Sequence, residues 1–110
     1  MTNEELSSKV MKQRVNLARK IQRERYKNLG ITSNSELTPN LMEKFCKIDD
    51  NGKEILQKIF DNLGLSARAY SKILKVARTI ADIEGKENIL PKHISEAVQY
   101  RNLDRKYWKG

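Results

Sequence analysis

Between Ser66 and Gly85 the apolar residues Tyr70, Ile73, Leu74, Ala77, Ile80 and Ala81 recur at steps of three and four. At 100° per residue they fall on one side of a helix, and Arg68, Lys72 and Lys75 fall on the other. Ser66 is a natural cap for free amides, and Gly85 supplies the stop. The pattern predicts a helix over Ser66–Glu84 that buries one face and cannot be a strand.

The rest of the chain follows the same period. A first helix is predicted over Glu4–Asn28, with Leu6, Val10, Leu17 and Ile21 as its apolar stripe and Met11 and Ala18 beside them. Gly30 follows its end, and Thr32-Ser33-Asn34-Ser35 reads as a polar loop. Thr38-Pro39 opens a second helix carrying Leu41, Met42, Phe45 and Ile48, because proline at the first helical position loses no hydrogen bond. Asp49, Asp50 and Asn51 offer caps for a third, in which Ile55, Leu56, Ile59, Phe60 and Leu63 recur before Gly64. A fifth starts at Pro91, turns Ile94, Ala97 and Val98 inward and ends near Arg101. Leu103, Tyr107 and Trp108 then fold back on the core or meet whatever lies beyond it. No heptad persists, so the expected fold is all-α: one domain over 1–110, a compact antiparallel bundle of about five helices.

With 110 residues the chain can bury a core without metal or disulfide staples. The 38% apolar share against 33% charged suits amphipathic helices with wide solvated faces. Cys46 has no second cysteine to pair with, and no run has the length of a signal peptide or a membrane span. The expectation is a cytoplasmic protein with no membrane partner.

The net charge of +8 is concentrated in residues 9–27, where eight Lys/Arg face Glu24 alone. Such a block attracts nucleic acid or an acidic surface, or is simply the solvated side of a helix. Lys12, Arg19 and Arg23 are its candidate phosphate contacts. Only Tyr26 lies near to stack on a base, so the pattern supports nonspecific contact with DNA or RNA at most.

Catalytic machinery is missing. The Gly-Lys pairs Gly52-Lys53 and Gly85-Lys86 are not followed by Ser or Thr, so there is no phosphate-binding loop. One His and one Cys do not make a four-ligand zinc site, and no metal site is expected. Cys46 and His93 could pair as nucleophile and base, but Cys46 within Phe45-Cys46-Lys47-Ile48 reads as a small buried hydrophobe on a helix. No residue of the chain is expected to be catalytic by itself. Arg68 is more informative. In the first helical turn the dipole disfavours a cation by about 0.3–1 kcal/mol, a cost that a bound anion offsets. A guanidinium beside free amides suits a phosphate, with Lys72 and Lys75 as further candidate phosphate or DNA contacts. A solvated arginine on a basic face is the plainer alternative.

The run Leu65-Ser66-Ala67-Arg68-Ala69-Tyr70, continued by Ile73-Leu74-Lys75-Val76-Ala77-Arg78-Thr79-Ile80-Ala81-Asp82, resembles the C-terminal domain of magnesium-chelatase-like AAA+ ATPases of the ComM competence group. Arg14-Val15, Ala18-Arg19, Gln22 and Phe45-Cys46-Lys47 agree upstream. His93-Ile94, Glu96-Ala97, Tyr100-Arg101 and Leu103-Asp104-Arg105 agree downstream, so the resemblance covers nearly the whole chain.

The resemblance implies a helical lid whose ATPase core lies upstream, outside these residues. It implies no cofactor for this segment itself, with ATP and Mg2+ used by the full-length protein. Arg68 occupies the place of the sensor-2 arginine, which reaches the terminal phosphate of ATP in its own or a neighbouring subunit of a hexameric ring. The implied work is DNA processing during natural transformation. The matching pieces are closer to the competence group than to dedicated chelatase subunits, which favours that work over insertion of magnesium into a porphyrin.

Overall fold

The computed structural model describes residues 3–103, and the side chains of residues 8–100. Its helices are α1 (Asn3–Arg25), α2 (Pro39–Phe45), α3 (Asp50–Leu63), α4 (Ala67–Ile83) and α5 (Pro91–Leu103). The predicted roles of Leu6, Tyr107 and Trp108, and of the Leu103 side chain, lie outside the described residues. Among the described residues no helix is long and apolar enough to cross a membrane.

The local signals act as expected. Thr38 Oγ1 accepts from the Leu41 amide, Asp49 Oδ1 from Gly52 and Ser66 Oγ from Ala69. Gly64 ends α3 with φ 59°, a left-handed conformation open to glycine at no steric cost. The stretch read as a polar loop is more ordered than that. A 3-10 turn at Asn34–Glu36 is closed by the Glu36 carboxylate, which accepts from the Thr32 and Ser33 amides at 2.8 and 3.0 Å.

Helix α4 is the central element: α1, α5 and the 3-10 turn pack on it, and α3 packs on α5. Ile73, Ala77 and Ala81 of α4 are fully buried with Leu56 of α3 and Ile94 and Ala97 of α5. A single parallel bridge between Ile48 and Ile89 ties the α2–α3 link to the α4–α5 link. The all-α expectation holds.

Two apolar assignments do not hold. Leu63, read as part of the buried face of α3, is half exposed at the helix end. On α1 the predicted stripe faces water, with Val10 39%, Met11 51%, Leu17 59% and Ile21 37% exposed. Of the predicted apolar residues Ala18 is buried, and the helix packs through it and Gln22, with Tyr26 buried just past the helix end. Ser8–Arg14 are all exposed, so this stretch of α1 contributes no side chain to the core.

Candidate functional site

The start of α4 is built by its cap. Ser66 Oγ takes the Ala69 amide at 3.2 Å, leaving the amides of Ala67 and Arg68 at an exposed helix end. Arg68 stands in that first turn, exposed, with no hydrogen bond or ion pair to any described residue. A cation and free amides thus share one solvent-facing corner, an arrangement that suits an incoming oxyanion. A cleft of about 590 Å³ between α2 and α4, lined by Met42, Cys46, Lys47, Lys53, Tyr70 and Leu74 among others, does not include Arg68.

The other basic candidates do not join this corner. Lys72 and Lys75 are half-buried, so the stripe they form with Arg68 is not a uniformly solvated face. Lys75 Nζ donates to the Ser35 carbonyl at 3.4 Å, because the 3-10 turn covers this side of α4. Lys12, Arg19 and Arg23 are exposed along one stripe of α1. That helix meets α4 around Asp82, about 21 Å along the axis from Arg68. The structure therefore holds two separate basic features.

A buried polar network holds α4 in place, and it went unread in the sequence. The Asp82 carboxylate, 1% exposed, accepts from Arg25 at 2.7 and 3.0 Å and from Asn34 Nδ2 at 3.0 Å, and it forms an ion pair with Arg78 at 3.1 Å. Asn34 also accepts from the Tyr26 hydroxyl and donates to Thr79 Oγ1, and its amide donates to Gln22 Oε1. Arg78 reaches on to the Lys86 and Glu87 carbonyls at 2.8 Å each, its Nε buried without a partner. The Asp82 hydrogen bonds keep the Arg25 guanidinium charged well above its ordinary range. One signal was available: Arg78 and Asp82 sit four apart, flanking the apolar face of α4, where a charge needs a partner.

Cys46 and His93 are committed elsewhere. Cys46 lies just past the end of α2 rather than within it, and burial pushes its thiol up to about 11. That is opposite to the thiolate a nucleophile needs. His93 is fully buried, and its Nδ1 accepts from the Leu90 amide at 2.9 Å. The ring proton is then on Nε2, which donates to Glu84 at 2.6 Å. Hydrogen bonds from Lys92 and then His93 hold the Glu84 carboxyl below the usual carboxylate range. These contacts tie α5 to the end of α4. Among the described residues no group of three His, Cys, Asp or Glu side chains is placed to hold a metal ion.

Gln22, Arg78, Thr79, Asp82 and His93, which helped to carry the family resemblance, are thus the polar ties of the bundle. The comparisons agree with it. The chain is 39% identical over 104 residues to competence protein ComM of Haemophilus influenzae, covering 94% of this chain and 19% of that protein. It is 42% identical over 99 residues to the uncharacterized protein YifB of Escherichia coli, covering 90% of this chain and again 19% of that protein. The chain therefore spans about a fifth of the length of these curated relatives. No solved structure matches it. The family model described as magnesium chelatase, subunit ChlI C-terminal, matches residues 5–101, and the chain belongs to that family.

Proposed function

We propose that this single helical domain is the C-terminal lid of a ComM-type AAA+ ATPase, and that Arg68 contacts the terminal phosphate of ATP held elsewhere in the assembly. The observation that carries this reading is the state of Arg68: exposed, unpaired among the described residues, and in the first turn of α4, where a cation is disfavoured until an anion arrives. The corner fits a phosphate oxygen. It holds nothing for magnesium, which would be bound by the core with the rest of the nucleotide. Bound ATP and Mg2+ supply the phosphoryl group and its charge neutralisation. What this chain adds is a guanidinium positioned by a rigid helix.

In this reading the lid serves its own core or a neighbouring subunit of a hexameric ring in the cytoplasm. The ring works on DNA, as the name of the Haemophilus influenzae relative suggests through competence. Arg68→Ala in the full-length protein is expected to lower ATP turnover by about 10²–10³-fold, the usual effect of removing one preorganised donor. Arg68→Lys should recover only part of that loss, since an ammonium cannot grip phosphate bidentately. The circular dichroism and melting curve of Arg68→Ala should match wild type, because the side chain is exposed and has no hydrogen bond or ion pair among the described residues. Wild-type turnover in Arg68→Ala would overturn the assignment.

A second reading rests on a different observation. Lys12, Arg19 and Arg23 form an exposed stripe on α1, with no ion pair among the described residues. Nonspecific nucleic-acid binding through that stripe, in a free-standing module or in the ATPase, is the alternative function it supports.

A further inference from the structure

Helix α1 carries more apolar surface than the bundle uses. Val10, Leu17 and Ile21 lie on one line of the helix, each more than a third exposed, while its packed side is Ala18, Gln22 and Tyr26. The line continues into a groove of about 420 Å³ between α1 and the end of α4, where Leu17 and Ile21 face Ile83. Among the described side chains of α1 the first buried one is Ala18, and the exposed stretch Ser8–Arg14 is too short to be stable as a helix in water by itself. An amphipathic stripe at positions 10, 17 and 21, ending in an apolar groove, has the form that receives a second helix.

The charges around the stripe say which kind of helix. Arg14 and Lys86 line the groove and Lys20 flanks the stripe on α1, and none of the three side chains has a partner among the described residues, whereas the carboxylates of the lining are committed, Asp82 to Arg25 and Arg78 and Glu84 to Lys92 and His93. Residues 9–27 hold eight Lys/Arg against Glu24 alone, so a second copy of α1 would meet like charge. The tail at 104–110 is itself basic and is excluded on the same ground.

We propose that this groove seats an amphipathic helix with acidic flanks, supplied by the remaining part of the polypeptide that carries this domain. The proposal rests on the lid reading, because that reading supplies the remaining polypeptide. The 19% coverage of the relatives leaves ample chain for the purpose.

The test is thiol labelling in a Cys46→Ala background. Leu17→Cys is placed in the groove, and Asn16→Cys is the control on an exposed, non-apolar side of the same turn. Each is made in the full-length polypeptide and in the 110-residue chain, and maleimide labelling rates are compared. Docking predicts that Cys at position 17 labels at least about tenfold more slowly in the full-length protein than in the short chain. Position 16 should label alike in both. Arg14→Glu with Lys86→Glu should restore fast labelling at position 17.

Equal rates at position 17 in the two proteins overturn the proposal, as does a gene that encodes these 110 residues alone. Protection that appears in the short chain as its concentration rises assigns the groove to a second copy, and overturns it too. Persistent protection in the charge-reversed variant overturns the acidic flank. Protection at position 17 together with wild-type turnover in Arg68→Ala removes the phosphate contact and leaves the docking groove standing.

Discussion

Asp82 concentrates more of this molecule's electrostatics than any residue with a proposed function. Its side chain is 1% exposed and faces two guanidiniums and an amide. Asp82→Ala leaves Arg78 buried without its carboxylate and removes the anchor of Arg25. Breaking a buried pair from one side costs about 3–5 kcal/mol, because the remaining charge stays desolvated. The exposed pair Lys27–Glu24, at 2.8 Å, is shorter than Arg78–Asp82 yet lies in water. Glu24→Ala is therefore expected to unfold at the wild-type midpoint. Urea unfolding of the two variants compares them, and similar midpoints would show that the network contributes little. A double-mutant cycle of Asp82→Ala with Arg25→Ala should show coupling, as expected for contacting partners.

At the scale of elements, what the sequence made legible was whatever is decided within a few residues. The caps Thr38, Asp49 and Ser66 and the stop at Gly64 each act over three to five positions, and each works as read. The first-turn position of Arg68 was legible for the same reason, since it follows from the cap at Ser66. The network was not, because Arg25 and Asp82 are separated by 57 positions and Asn34 and Asp82 by 48. Helix α1 misled because periodicity finds a stripe without saying which side meets the bundle. Its packed side holds Gln22 and Tyr26, polar residues that hydropathy discounts and that hydrogen-bond Asn34. The consequence is measurable. In the 110-residue chain Leu17→Ala should change stability by less than about 0.5 kcal/mol, whereas Leu56→Ala, fully buried on α3, should cost about 2–5 kcal/mol. A large loss at Leu17 in chemical denaturation would mean that α1 packs on its apolar stripe after all.

The whole molecule carries a net charge of +8, and the fold decides where that charge can act. Lys72 and Lys75 are half-buried, and Arg25 and Arg78 are occupied by Asp82. Arg68 stands at the far end of α4 from the point where α1 packs. The exposed remainder is densest on α1, where Lys12, Arg19 and Arg23 share one line about half a turn from Leu17. Along the axis they are spaced by about 10 and 6 Å, within reach of successive phosphates on one strand. If these three residues carry the contacts, log affinity for duplex DNA falls with log salt at a slope of about −0.9 per phosphate. Three phosphates then give a loss of roughly 40-fold between 50 and 200 mM salt. Titrating the 110-residue chain with labelled duplexes of unrelated sequence at both concentrations should show that loss for each. Lys12→Ala, Arg19→Ala and Arg23→Ala combined should abolish most of the salt dependence. Arg68→Ala should leave it unchanged, since its corner is remote from the stripe. No binding at 50 mM salt removes the alternative outright. Binding that survives the triple substitution moves the contact off α1. Loss of binding in Arg68→Ala would place nucleic acid, rather than a nucleotide's phosphate, at the start of α4.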